Sequence, residues 1–303
     1  MVDITHKITT LRIATAQAIV KVSPETIEVI LNKTVPKGDV LEVSRTAGLF
    51  AVKNTSSVIP DCHPIPIEYT GIEFEILENT IQIQVTVKTI YKTGVEVEAM
   101  HGASIVAVTM YDMLKPIDKN VEISTVKLLH KKGGKSDFGV IENINLAIAV
   151  IVCSDSVSAG IKTDSTGKII TEKLEKMGLK VSQYHIIPDS IEAIQNNINS
   201  LCNQNINLII LTGGTGLSHK DVTPEAVIPL LDRRISGIEE AIRSYGQQRT
   251  PLAMHSRSVV GFKGDTLIMA LPGSTTGASE SIDAIFPSVL HLFQLLNGYN
   301  HGK

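Results

Sequence analysis

The hydrophobic pattern changes character once along the chain. In the first part, apolar and polar positions alternate with a period of two or recur with the period of a helix. Thr10 to Val22 alternates loosely and predicts a strand. Two more strands are predicted near Ile67–Leu77 and Ile81–Tyr91, joined by Glu78-Asn79. The second alternates cleanly through Ile81, Ile83, Val85 and Val87, which gives it one buried face. A fourth strand is predicted from Val121 to Leu129. Between them lie helical segments. Ser23-Pro24-Glu25 supplies a cap, a proline at the first helical position and an early acid, so Pro24–Asn32 reads as helix. Asp39 can cap a second helix, with Val40, Val43, Ala47, Phe50, Ala51 and Asn54 at helical spacing, ending near Ser57. The longest runs from Gly94 to Pro116, GVEVEAMHGASIVAVTMYDMLKP, and stops at Lys115 because proline cannot continue it. Ile59 to Pro64, IPDCHP, can be neither helix nor central strand and places His63 in a constrained loop. This order of elements predicts an α+β sandwich of ferredoxin-like type, complete by about Phe138.

After it the pattern turns to buried strands. Ile144 to Cys153 is almost uninterruptedly apolar, as a parallel strand covered on both faces requires. A helix at Lys168–Met177, a strand to Ile187, a helix from Ser190 and a second buried strand at Asn207–Leu211 make a βαβαβ run. Helices at Pro224–Leu231 and Gly237–Tyr245 follow, then a strand pair, Ser258–Phe262 and Thr266–Leu271, and a last helix from Ala278 to Leu296. The expectation is a doubly wound α/β domain with a mostly parallel sheet. Two domains, residues 1–140 and 144–303, meet near Gly139–Asn143.

Composition narrows the function classes. A chain of 303 residues, 43% apolar, has room for two cores. A net charge of −3, no Trp and 4% aromatics give no electrostatic or stacking basis for nucleic-acid binding. Three scattered cysteines, Cys62, Cys153 and Cys202, predict reduced thiols rather than a disulfide framework. No signal-peptide core or membrane-length apolar run is present, so the expectation is a cytoplasmic protein with no membrane partner.

Candidate chemistry in the first part gathers on the long helix, which carries Glu96, Glu98, His101, Asp112 and Lys115. Each feature has a plain alternative. Asp112 and Lys115, three residues apart, can be a surface ion pair contributing only about 0.2–0.5 kcal/mol. Lys37-Gly38-Asp39 and His63-Pro64 can be turn residues, and His130 to Lys135 a solvated basic end. Their joint occurrence supplies acids, bases and cations for a phosphate. In order, MVDIT, KGDVLEVSRTAG, VIPDCHPIPI, KTGVEVEAM, YDMLK and LLHKKGGKS resemble the MoaC family, the cyclic pyranopterin monophosphate synthases, over about Met1 to Phe138. That resemblance implies conversion of 3′,8-cyclo-7,8-dihydro-GTP to the cyclic phosphate with release of pyrophosphate. It implies Asp112 and Lys115 as the central acid/base pair, and His63, Glu96 and Glu98 on the pterin side. Lys37, Arg45 and Lys131 would hold the triphosphate. Two departures stand out: the segment that often precedes MVD in the family is absent, and His101-Gly102 replaces a small pair.

In the second part the strongest stretch is Leu211 to Ala226, LTGGTGLSHKDVTPEA. A glycine-rich turn after a buried strand brings backbone N–H groups close to phosphate. It matches neither the GxGxxG turn nor the Walker loop, which argues against a nicotinamide enzyme, and on its glycines alone it can be a tight turn. Together with SDSVSAG, DSTGK, IIPDS and LPGS, it resembles the MogA/MoaB/gephyrin-G family over about Asn145 to Gly298. That implies molybdopterin binding and, with Mg²⁺ and ATP, its adenylylation. Asp189 and Asp221 would anchor the metal. Gly213, Gly214, Thr215 and Gly216 would cradle phosphate, with Asp155 and Ser274 in the pocket. Thr275-Thr276 stands where a basic residue is expected, so a cation is missing there, and simple molybdopterin binding or a scaffolding role is the alternative.

The whole therefore resembles a fused, bifunctional molybdenum-cofactor enzyme. One geometric expectation follows from helix rise. Glu98 and Asp112, fourteen residues apart, lie about 21 Å apart along the axis, too far to act on one pterin within one chain. The helix must serve two half-sites, each completed by a second subunit of a homo-oligomer.

Overall fold

The computed structural model describes residues 1–134, 137 and 145–296. The chain divides into two compact units, Met1–Phe138 and Gly139–Lys303. The expected junction at Gly139–Asn143, and Lys135 of the basic run, lie outside the described residues.

In the first unit the order is β1 (Thr10–Lys21), α1 (Pro24–Leu31), α2 (Val40–Lys53), α3 (Thr55–Val58), β2 (Tyr69–Ile76), β3 (Thr80–Tyr91), α4 (Glu96–Leu114) and β4 (Glu122–Lys132). The four strands are ordered β2-β3-β1-β4 with every neighbour antiparallel, the ferredoxin-like arrangement the sequence predicts. Ala14, Ala16, Ala18 and Val20 of β1 and Ile81, Ile83, Val85 and Val87 of β3 face a core that α4 closes with Ala99, Ala103, Val106, Ala107 and Met110. Asp39 caps α2 as expected, its carboxylate accepting from Glu42 N–H. Ser23 does not cap α1 through its side chain. Instead Asp118, from the loop after α4, accepts from Ser23 N–H at 2.7 Å and Thr26 Oγ1 at 2.9 Å. This carboxylate, distant in the chain, holds the start of α1, which no local pattern announces.

His101-Gly102 has a packing explanation. A Cβ on Gly102 would lie 2.6 Å from Val52 Cγ2, and one on Gly48 2.4 Å from Val106 Cγ2, so two glycines let α2 and α4 cross closely. His101 Nδ1 bonds Thr55 Oγ1 at 3.1 Å, tying α4 to α3.

β4 runs three residues past its predicted end and carries a bulge near that end. Thr15 pairs with His130 but Ala16 pairs with Leu128, so Leu129 is the extra residue. Side chains alternate along a strand, and one inserted residue reverses the face of those beyond it. Lys131 thereby pairs with Ala14 and points to the helix side of the sheet.

The second unit runs β5 (Ile148–Cys153), α5 (Asp155–Ser158), α6 (Thr166–Lys176), β6 (Val181–Ile187), α7 (Ile191–Asn203), β7 (Leu208–Thr212), α8 (Thr223–Val227), β8 (Arg233–Arg234), α9 (Ser236–Gln247), β9 (Val259–Lys263), β10 (Thr266–Leu271), α10 (Thr275–Ile285) and α11 (His291–Leu296). Its sheet order is β6-β5-β7-β10-β9-β8, parallel from β6 to β10 and antiparallel at β9 and β8. Core lies on both faces, as the continuous apolar strands predict. Two expectations are corrected. The helix expected at Pro224–Leu231 ends at Val227 and continues as a 3-10 turn over Ile228–Leu230, because Pro229 offers no N–H to an α-helical bond. The single last helix expected from Ala278 to Leu296 is two, separated at Phe286-Pro287 for the same reason.

Candidate functional sites

Within the first unit the predicted residues form two clusters at opposite ends of α4. At its C-terminal end, Asp112 is bracketed by two ammonium groups: Lys115 Nζ lies 2.7 Å from Oδ1 and Lys37 Nζ 2.7 Å from Oδ2. Lys37 also donates to the Asp112 carbonyl at 2.8 Å. Lys115 and Lys37 hold the Asp112 carboxyl down to about 2, and Asp112 in turn raises Lys115. Arg45 does not join them: its bonds go to Glu42 and the Ile72 carbonyl, and its guanidinium sits 4.9 Å from the Phe74 ring centroid.

At the N-terminal end, Glu96 and Glu98 are neighbours in opposite electrostatic states. Glu96 accepts from Lys131 Nζ at 2.9 Å. Burial alone would raise Glu96, but Lys131, its own backbone N–H and Arg12 together hold it below the usual range. Glu98 is only 2% exposed. Its Oε1 accepts from the Cys62 thiol at 3.0 Å, and its Oε2 has no partner among the described residues. Burial raises Glu98. Two carboxyls pushed apart in this way can serve as base and acid. His63 sits beside Cys62 in the loop, its Nε2 donating to the Val2 carbonyl at 2.9 Å. A cavity of about 280 Å³ is walled by Lys7, Arg12, Lys92, Lys131 and Lys132, with Glu96 and Asp137 among them and Glu98, Cys62 and His63 outside it; its excess of cations is a setting for a polyanion. Sequence reasoning missed Arg12, which is 7% exposed on β1 and aimed by bonds to the Tyr91 and Lys92 carbonyls at 3.2 and 3.3 Å. A buried arginine in an apolar strand was the available signal. Because α4 is continuous from Glu96 to Leu114, the two clusters are about 21 Å apart along it.

In the second unit the site is built on the turn after β7. Gly213 and Gly214 have φ of +101° and +62°. A Cβ on Gly213 would sit 2.1 Å from the Cys153 carbonyl oxygen, and one on Gly214 2.3 Å from Thr223 Oγ1, so glycine is required at both. Thr223 closes the turn, donating from Oγ1 to Gly213 O at 2.8 Å and from N–H to Gly214 O at 3.0 Å. Three acids surround it. Asp155 N–H donates to Asp189 Oδ2 at 3.1 Å and Asp189 N–H to Asp155 Oδ1 at 3.0 Å. Asp221 Oδ2 accepts from Ser218 N–H at 2.8 Å. Asp189 Oδ1 is buried with no partner, and desolvation raises its carboxyl, helped by the charges of Asp155 and Asp221.

Among the described residues no three His, Cys, Asp or Glu side chains form a metal-binding group. Mg²⁺ nevertheless fits this donor set, since it takes one or two carboxylates and fills its shell with water and phosphate. The orphaned Asp189 oxygen is the observation that supports the fit.

Beside the turn lies a cavity of about 390 Å³, with Thr215, Gly216 and Ser274 in its wall. Asp155, Asp189 and Asp221 are outside it. Ser274 caps α10, accepting from Gly277 N–H at 3.2 Å, so a helix N-terminus faces the cavity. Thr276 lies in the same wall, where Arg243 of α9, 3.9 Å from Glu239, brings a guanidinium and Glu280 a carboxylate. Arg257 braces the turn through the Gly216 and Asp221 carbonyls at 2.8 and 2.7 Å. Both arginines come from segments without a motif, and only the fold brings them to the glycines.

No helix among the described residues is long and apolar enough to cross a membrane.

Comparison with known proteins agrees with this division. Residues 1–134 match the MoaC family model, and residues 149–291 match the model described as "Probable molybdopterin binding domain". The molybdenum cofactor biosynthesis bifunctional protein of Chlorobaculum tepidum is 39% identical over 301 residues, 99% of this chain and 96% of that protein. The cyclic pyranopterin monophosphate synthase of Clostridium perfringens is 51% identical over 138 residues, 45% of this chain and 87% of that protein. The crystal structure of the molybdopterin biosynthesis enzyme MoaB from Thermus thermophilus is 36% identical, covering 52% of this chain and 99% of that one, with a TM-score of 0.48. With a relative matched along nearly its whole length, the chain belongs to the bifunctional molybdenum cofactor biosynthesis proteins, a MoaC-family half followed by a MogA/MoaB-type half.

Proposed function

We propose that the N-terminal half converts 3′,8-cyclo-7,8-dihydro-GTP to cyclic pyranopterin monophosphate, and that the C-terminal half adenylylates molybdopterin with Mg-ATP, in the cytoplasm. The observation that carries the first assignment is Asp112 clamped between Lys37 and Lys115, both at 2.7 Å. An ionised Asp112 fixes both ammonium groups by ion pairs, so Lys115 can deliver a proton while Lys37 meets the phosphate. Glu98 acts on the pterin side as a proton donor, with Glu96 ionised beside it and His63 in the adjoining loop. The cations around Arg12 and Lys131 hold the triphosphate and stabilise the departing pyrophosphate. Arg45 was expected to share that work, but its observed partners turn it to the sheet, and it is assigned no step. Because the two clusters lie at opposite ends of α4, each complete site takes one end from each of two subunits of a homo-oligomer.

For the C-terminal half, the observation is the unpartnered Asp189 oxygen beside the glycine turn. Asp189 and Asp221 would hold Mg²⁺, which neutralises phosphate charge when bound. Gly213 to Gly216 admit the nucleotide phosphates to backbone N–H groups. Molybdopterin occupies the cavity, with its phosphate toward Ser274 and Arg243. Asp155 orients Asp189 through their exchanged backbone bonds. In the pathway sulfur insertion separates the two reactions, so direct transfer between the halves is not part of this reading.

Incubating the full chain with each substrate set tests both assignments. Pyrophosphate release from the cyclo-dihydro-GTP, and an adenylylated product from molybdopterin with Mg-ATP, are expected. Molybdopterin binding without the adenylylated product under any metal condition would leave the second half a binding or scaffolding module.

A further inference from the structure

We propose that Cys62 is a positioning residue for Glu98: its thiol donates the side-chain hydrogen bond that fixes one carboxyl oxygen and leaves the other without a partner among the described residues. This rests on the reading of Glu98 as a proton donor in the first reaction. The geometry is specific. Cys62 Sγ lies 3.0 Å from Glu98 Oε1, and Glu98, 2% exposed, keeps Oε2 buried and unpartnered among the described residues. The loop that carries the thiol is fixed at several points. Cys62 N–H donates to the Ile59 carbonyl at 3.0 Å, Ile59 N–H to the Thr55 carbonyl at 2.9 Å, and the neighbouring His63 to Val2.

The thiol is no nucleophile here. Burial and the nearby Glu98 and Glu96 carboxylates push Cys62 up to about 12, so it stays an S–H donor. A thiol is a weak donor, and that weakness is the useful property. Glu96, two residues away, is held by an ammonium and stays ionised. Glu98, held by a thiol and by its own backbone N–H rather than by an ammonium, is oriented without being forced into the charged form. The other titratable groups facing Glu98 are Glu96 and His101, both on α4, and His101 is engaged by Thr55. Lys131 faces Glu96 from β4.

A serine hydroxyl would donate more strongly than the thiol, and alanine not at all, so the two substitutions must move Glu98 in opposite directions. The test uses the full chain with Cys62→Ser and Cys62→Ala. The Glu98 carboxyl titration is read by infrared difference against the same protein carrying Glu98→Gln, and the pH profile of kcat/KM for pyrophosphate release is measured in parallel. The titration midpoint is expected to fall in Cys62→Ser and rise in Cys62→Ala, each by about half to one pH unit, with the basic limb of the profile following. Coincident midpoints in all three proteins, or shifts of the same sign in both variants, would overturn the proposal. Serine is nearly isosteric with cysteine, so its arm decides the matter even if the alanine variant folds poorly. Shifted midpoints with an immobile activity profile would overturn Glu98 as the donor while leaving the contact with Cys62 in place.

Discussion

On the proposed assignments, the two halves hold a phosphorylated pterin in opposite ways. The C-terminal half concentrates its site: one strand ends, two glycines turn among three acids, and a helix N-terminus and an arginine line the cavity beside that turn. The N-terminal half disperses its site along a 19-residue helix, with an ion-paired cluster at one end and a buried carboxyl at the other. A turn at the edge of a parallel sheet makes a site within one chain. A long helix on an antiparallel sheet keeps two clusters apart, and the proposed reaction needs a second copy to bring such clusters together.

The largest expected effect separates the halves outright. Lys115→Ala should lower pyrophosphate release by about 10²–10³-fold and leave adenylylation unchanged, because it removes the proton source from one end of α4. Asp189→Asn should do the reverse, by at least about 10²-fold. Both reactions followed in both variants, with thermal unfolding to confirm the fold, give the cross-over. Loss of both activities in either variant would mean that the halves are not independent.

A smaller effect tests the concentrated site. Gly214→Ala meets Thr223 Oγ1 and Asp189 Oδ1 at 2.3 and 3.0 Å in a left-handed backbone conformation. It should cost about 1–3 kcal/mol of stability and weaken nucleotide binding, read by denaturation and by ATP titration.

The smallest effect is a pH slope in the dispersed site. Glu98 is raised in the folded chain, so the folded state keeps a proton that the unfolded state releases. The contribution is present below the ordinary carboxylate range and is lost as pH rises through the folded value. Glu98→Gln should therefore gain stability relative to the wild type on going from about pH 4 to about pH 8, measured as the difference in Tm across that range. A constant difference would mean that Glu98 titrates normally.

The same contrast explains what could be read from the sequence. Strand alternation in Ile81 to Val87 and the unbroken Ile148 to Cys153 run report burial directly, so both sheets were legible. The glycine turn was legible because backbone geometry restricts residue type. Cys62 beneath Glu98, Arg243 opposite Ser274, Asp118 on Ser23 and the Leu129 bulge that turns Lys131 inward were not. Each joins segments far apart in the chain, and a single side chain carries no periodic signal. Helix rise alone did expose the distance between Glu98 and Asp112, and with it the case for shared sites.

That case is tested most directly by mixing two inactive full-length variants, Glu98→Gln and Lys115→Ala, under conditions where subunits exchange. If each site takes one end of α4 from each subunit, half of the dimeric units are mixed, and one of their two sites is intact. Pyrophosphate release should return to about a quarter of the wild-type rate. Mixed assemblies that form, as mass spectrometry would detect, yet remain inactive would contradict the account and place the whole site within one chain.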